Sequence, residues 1–199
     1  MKNDKIKCFS NGYLISYVKV KRHYKYGLID KFDKEIIANI YDKIQYFGTN
    51  VVLANIGYKK SRKHLKLGKW GVLNLNGDIV VPFHYSYMQY YNEKLIVCYK
   101  NKWGLIDIEG KIVVPIIYDY IQTTDIEDLF LFELNDKQGI FDIDGIAVVD
   151  PIYYEIDYKK GLDRNQQFSI QKNDEYYCIN SFGKIVEDDE NVNSYANLL

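Results

Sequence analysis

Proline occurs only three times in this 199-residue chain, cysteine three times, and tryptophan and methionine twice each. So little proline excludes a Pro-rich linker or a collagen-like chain. Cys8, Cys98 and Cys178 are odd in number, far apart and in no metal-ligand spacing. They exclude a disulfide-stapled scaffold and a zinc module, and they favour a reducing, cytoplasmic setting. No apolar run approaches the roughly 20 residues of a membrane helix, and Met1 to Lys7 has no apolar core of a secretory signal, so no membrane association is expected. No window carries a 3.6-residue apolar period, and no Gly-rich phosphate loop stands between a strand and a helix. What remains is 47% hydrophobic and 27% charged, with a formal net charge of −1 and 20 tyrosines among the aromatics. That is an ordinary globular composition, with enough apolar residues for a core.

The chain repeats itself. Lys102-Trp103-Gly104-Leu105-Ile106-Asp107 runs through Gly110-Lys111-Ile112-Val113-Val114-Pro115 to Tyr118-Asp119. Lys69-Trp70-Gly71-Val72-Leu73-Asn74 leads to Gly77, Val80-Val81-Pro82 and Tyr85 at the same offsets. Lys25-Tyr26-Gly27-Leu28-Ile29-Asp30 and Lys137-Gln138-Gly139-Ile140-Phe141-Asp142 open two further copies, and Tyr176-Tyr177-Cys178-Ile179-Asn180 a fifth, weaker one. Equivalent positions 27, 71, 104, 139 and 177 are 44, 33, 35 and 38 residues apart. A period of that size is the mark of a repeat architecture.

Each copy reads as strands joined by turns. Short β-branched and aromatic stretches precede the motif, and the motif itself supplies a second strand. Asn76-Gly77, Glu109-Gly110 and Asp144-Gly145 supply the positive φ of a tight hairpin turn. A third strand follows and is expected to stop at its proline, which cannot donate to a ladder. Tyr118-Asp119-Tyr120-Ile121 and its equivalents make a short fourth element. The recurring Asp30, Asn74, Asp107, Asp142 and Asn180 suit an Asx role at a turn entry better than a ring of metal ligands. The expected class is all-β.

These residues resemble the bacterial WG β-repeat family. Lys-Trp-Gly, the Asp or Asn three residues after the Gly, the Gly-Lys-Ile-Val-Val-Pro segment and the Tyr-Asp pair carry the resemblance, best at 69–88 and 102–121. Tyr26, Tyr176 and Gln138 depart from it at the Trp position, and Tyr177 stands where Gly is expected. The resemblance implies an interaction or binding module, and no chemistry. Trp70, Gly71, Trp103, Gly104, Tyr118 and Asp119 are the structural repeat positions, with the tryptophans packed between repeats.

The expected organisation is one domain over 1–190, in five units around 13–47, 51–88, 95–121, 129–156 and 168–186, followed by an acidic tail at 187–199. Asp4-Lys5-Ile6-Lys7-Cys8-Phe9 aligns with Asp42-Lys43-Ile44-Gln45-Tyr46-Phe47, and the fifth copy stops near Val186. Residues 4–9 are therefore expected to complete the last unit, closing a five-bladed β-propeller. An open β-solenoid-like array is the alternative.

Residues 1–100 hold 18 Lys and Arg against 7 Asp and Glu, and residues 101–199 hold 8 against 20, so a near-neutral total conceals a bipolar chain. The 44-residue spacing contains an insertion, Tyr58 to Lys69, with six cations and no acid. The candidate partner-binding residues are Lys59, Lys60, Arg62, Lys63, His64 and Lys66 there, with Lys21, Arg22, His23 and Lys100 at the same repeat position elsewhere. Such loops form a basic face suited to an acidic protein surface, to phosphates, or to self-association with the acidic half, unless they are only solvated. The copy-four and copy-five loops hold Asp136, Asp174 and Glu175, so the basic face is expected to end before them. No base, nucleophile and orienting acid come together around His23, His64 or His84. The expectation is a non-enzymatic module without cofactor or metal. A small-ligand or nucleic-acid-binding propeller, accessory to an enzyme or a defence complex, is the alternative.

Overall fold

The computed structural model describes residues 4–60, 65–157, 168–172, 175–180 and 185–186, all within strands and their connections. The expected acidic tail, from Glu187 onward, lies outside the described residues, as do Arg62, Lys63 and His64.

Each four-stranded sheet is antiparallel wherever its pairing is described. The first holds β1 (Asp4–Cys8), β2 (Leu14–Val20), β3 (His23–Ile29) and β4 (Glu35–Tyr41), in that order. The second holds β5 (Lys43–Tyr46), β6 (Val51–Lys60), β7 (Leu65–Asn74) and β8 (Ile79–Tyr85). The third holds β9 (Tyr87–Tyr91), β10 (Lys94–Tyr99), β11 (Lys102–Asp107) and β12 (Ile112–Tyr118). The fourth holds β13 (Tyr120–Thr123), β14 (Leu129–Leu134), β15 (Lys137–Asp142) and β16 (Ala147–Tyr153). The last holds β17 (Glu155–Asp157), β18 (Phe168–Lys172), β19 (Glu175–Ile179) and β20 (Ile185–Val186). The all-β class is as expected. Among the described residues, no helix is long and apolar enough to cross a membrane.

The phase of the repeat differs from the expected one. Residues 4–8 pair with β2 and open the first sheet, so they do not complete the last one, which takes its outer strand from β17. The alignment of Asp4 with Asp42 holds, but the aligned element is the first strand of a sheet, not its fourth. The reason lies in the link residue. Asp42 N–H donates to the Asn55 carbonyl, Ser86 to Cys98 and Asp119 to Glu133, each time on the second strand of the following sheet. The chain is thus handed forward at Tyr-Asp, and closure by strand exchange falls away.

The third strand of each motif also runs past its proline. β8 continues through Pro82 to Tyr85, β12 through Pro115 to Tyr118 and β16 through Pro151 to Tyr153. Between the pairs Val72–Val81 and Trp70–Tyr85 the register slips, so the outer strand bulges, and Pro82 falls in the bulge. Pro151 falls in the matching slip between Ile140–Val149 and Gln138–Tyr153. A bulge leaves N–H groups out of the ladder, so proline costs nothing there.

The bulge explains the motif glycine. A Cβ on Gly71 would lie 2.7 Å from the Val81 carbonyl oxygen, and one on Gly104 would lie 2.8 Å from that of Val114. Neither glycine has positive φ; each is required because a bulged neighbour crosses directly over it.

Two compact units divide the chain, Met1–Asn101 with Ile106–Ile112, and Lys102–Leu105 with Val113–Leu199. In the first, Leu28, Ile37, Tyr41, Tyr46, Val52, Ala54 and Leu73 form a core cluster. Leu28, Val52, Ala54 and Leu73 are wholly buried. Tyr46 anchors the loop after β1 by accepting a hydrogen bond from Asn11 Nδ2 at 2.5 Å, with Phe9 edge-on to its ring. Burial pushes the phenols of Tyr41, Tyr46 and Tyr85 above their ordinary pKa. In the second unit, Leu129, Leu131, Ile140, Val149 and Ile156 cluster, and Phe141 stacks on both Phe130 and Phe132.

Candidate functional site: a basic hairpin grafted into a tight turn

In the third and fourth sheets the middle hairpin is a two-residue turn with both residues left-handed, whereas in the Lys21-Arg22 turn of the first sheet only Lys21 (φ 56°) is so. In the fourth sheet Asn135 and Asp136 have φ of 53° and 60°, and in the third Lys100 and Asn101 have 50° and 63°. These angles fit a type I′ hairpin, whose twist matches that of its strands. In the second sheet the corresponding residues are Gly57 (φ 84°) and Gly68 (φ 75°), facing each other between the pairs Ile56–Lys69 and Tyr58–Leu67. The equivalence has an independent mark: Asp42 Oδ2 accepts the Gly57 N–H at 2.7 Å, as Asp119 Oδ2 accepts the Asn135 N–H at 2.9 Å. The insertion is therefore ten residues, 58–67, spliced into the middle of a two-residue turn. Glycine sits at both splice points because the ladder continues through left-handed backbone, which other residues resist.

The extension carries Lys59 directly opposite Lys66 and Lys60 opposite Leu65. Like charges facing each other across an antiparallel pair repel, and Lys59 and Lys66 are both exposed. Lys21 and Arg22 form the β2–β3 turn with His23 opening β3, and Lys100 lies in the β10–β11 turn, all exposed. All of these lie in the first unit, at the same end of the middle hairpin of their sheets. Lys43, which sequence reasoning did not single out, places its Nζ 4.2 Å from the Tyr58 ring centroid at the base of the extension.

One more cation is released by a substitution in the repeat. Lys25 pairs with Asp42 at 2.6 Å and Lys102 with Asp119 at 2.5 Å. The equivalent of these aspartates in copy two is Ser86, whose hydroxyl donates to the Cys98 carbonyl. Lys69 thus lacks the carboxylate its counterparts have, and it is exposed beside the extension.

Other repeat positions serve the scaffold. Asp30, Asn74, Asp107 and Asp142 each use Oδ1 to accept two backbone N–H groups, two and four residues on, at 2.8–3.0 Å. Gly77, Gly110 and Gly145 take the positive φ of those turns, and Asp33 does so in the first. Trp70 is buried, whereas Trp103 is only half-buried, its ring edge-on to Tyr120 at 5.1 Å. Trp103 is less buried than Trp70, although its ring packs against the first strand of the following sheet. Gln138, at the tryptophan position of copy four, accepts the Ile156 N–H at 2.8 Å instead. His84 is half-buried against Tyr85 and Tyr99. Cys98 lies buried in β10.

The family model described as WG containing repeat matches residues 26–59, 70–103 and 103–137, a little over half of the chain. The chain belongs to that family. No curated protein matches it. Among solved structures it is similar to one titled "AfRom2 CNH domain", at 9% identity and a TM-score of 0.30, over 88% of this chain. The chain spans 62% of that structure's length, and a likeness at this level carries no argument.

Proposed function

We propose that this protein is a non-enzymatic interaction module whose basic hairpins dock an acidic protein segment. The observation that carries the proposal is the splice of 58–67 into a turn that other copies close in two residues, with Lys59 set against Lys66. Such an insertion leaves the sheet beneath intact and adds surface, which is how loops acquire binding roles on rigid scaffolds. The scarcity of cysteine suits a cytoplasmic setting.

Poly-L-glutamate and a single-stranded DNA oligonucleotide, each followed by fluorescence anisotropy over rising salt, test this against wild type and a variant with Lys21, Arg22, Lys59 and Lys66 changed to Ser. Salt-sensitive binding of polyglutamate, weakened in the variant, is expected. Tighter binding of DNA, with a salt slope that falls by up to about 3 in the variant at roughly 0.7 per phosphate contact, makes the partner a nucleic acid. Identical curves for the two proteins return the lysines to a solvated face.

We also propose that the sheets are blades of a closed propeller. The repeated four-strand meander and the one-residue links support this. A radius of gyration near the roughly 16 Å of a compact chain of this length is expected from small-angle scattering, and a clearly larger one favours the open array.

A further inference from the structure

We infer that a cleft beside Trp70 seats one apolar side chain of the acidic partner segment, so that the partner sequence is an apolar anchor flanked by Asp or Glu. The flanking acids rest on the proposed basic face; the anchor rests on three observations of its own.

First, the cleft has a volume of about 410 Å³ and is lined by Trp70, Leu67, Tyr87 and Met88, with Lys43 and Ser86 among its polar groups. That volume lies within the range of about 300–1,000 Å³ for ligand sites. Second, the equivalent place in the next repeat is closed, because Trp103 and Tyr120 meet there at 5.1 Å. Trp70 and Tyr87, the equivalents of that pair, both line the cleft. Third, one wall is Leu67, the last residue of the grafted extension and 55% exposed. The insertion therefore brings both an apolar wall and its cations to one place. Among the described residues no lining residue is acidic, and Lys43 lines the cleft itself. An apolar group with adjacent carboxylates fits this combination, since an aromatic or aliphatic anchor gains chiefly from the exposed Leu67 side chain while its neighbours meet Lys43, Lys59 and Lys66.

The test uses two labelled peptides, Ac-Glu-Glu-Phe-Glu-Glu-amide and the same peptide with Ser for Phe. Trp103→Phe leaves Trp70 as the sole tryptophan, so its emission reports the cleft directly; anisotropy on the unaltered protein gives the affinities. The Phe peptide is expected to bind about tenfold or more tightly than the Ser peptide, as burial of a Phe side chain allows, and to shift the Trp70 emission. Leu67→Glu is expected to abolish that preference. Equal, salt-sensitive binding of both peptides overturns the cleft and leaves the basic face standing. Binding of neither peptide overturns both. N-acetyl-phenylalanine amide bound as tightly as the Phe peptide overturns the peptide anchor and assigns the cleft to a small ligand.

Discussion

Lys102 Nζ lies 2.5 Å from Asp119 Oδ1, and the other oxygen of that carboxylate accepts the Asn135 N–H at 2.9 Å. One aspartate thereby ties the strand that carries the motif glycine to the hairpin turn of the following sheet. Asp42 does the same between Lys25 and Gly57. The Tyr-Asp element is thus a clip between successive sheets, and its loss in copy two, at Ser86, coincides with the grafted hairpin.

The clip has a pH signature. The hydrogen bond from Lys102, and then that from the Asn135 backbone, hold the Asp119 carboxyl below its ordinary pKa. A carboxyl lowered in the folded state stabilises the fold above its unfolded value, and that contribution is lost as pH falls through the folded value. Asp119→Asn should therefore melt at a lower temperature than wild type at neutral pH. The gap should begin to close near about pH 4, the ordinary aspartate range, and vanish below it. Calorimetric melts of both proteins from neutral to strongly acidic pH check this.

Excision of residues 58–67 should leave the fold intact. It joins Gly57 to Gly68, two glycines already in left-handed backbone, as a two-residue turn like Lys100-Asn101. Thermal melts should show a midpoint close to that of wild type, while binding to the acidic peptide is lost. A collapse in stability would make the extension part of the core.

The two tryptophans should differ. Trp70→Ala, at 9% exposure, should cost about 3–5 kcal/mol, the range for large buried aromatics. Trp103→Ala, half-buried, should cost about 1.5–3 kcal/mol, nearer the value of partial burial. Urea unfolding of the two variants measures the difference.

The motif glycines should resist even a methyl group. Gly104→Ala places its Cβ 2.7 Å from Ile116 Cγ1 and 2.8 Å from the Val114 carbonyl oxygen. Overpacking of that kind should cost about 1–3 kcal/mol. Gly48→Ala, where a Cβ meets nothing within 4 Å, separates crowding from the strain of positive φ. If Gly104→Ala melts with wild type, the bulged strand yields and the motif glycine is not a packing requirement.

The sequence by itself determined the class, the repeat and the turns, because these depend on neighbours a few residues apart. Alternating side chains declare strands, Asp107 bonds N–H groups two and four residues on, and Gly110 takes a φ only glycine holds easily. The insertion and its charge were legible too, from one long spacing in an otherwise regular series. The tertiary structure decided what is non-local. Whether Asp42 to Tyr46 ends one sheet or begins the next depends on which strand completes its ladder, and both choices satisfy the same local pattern. Only the pairing of β5 with β6 settles it. The proline bulge, the unequal burial of Trp70 and Trp103, and the cleft at Leu67 likewise arise where strands separated in sequence meet. A pair of glycines 11 residues apart was in plain sight, but their meaning required seeing them face each other across one ladder.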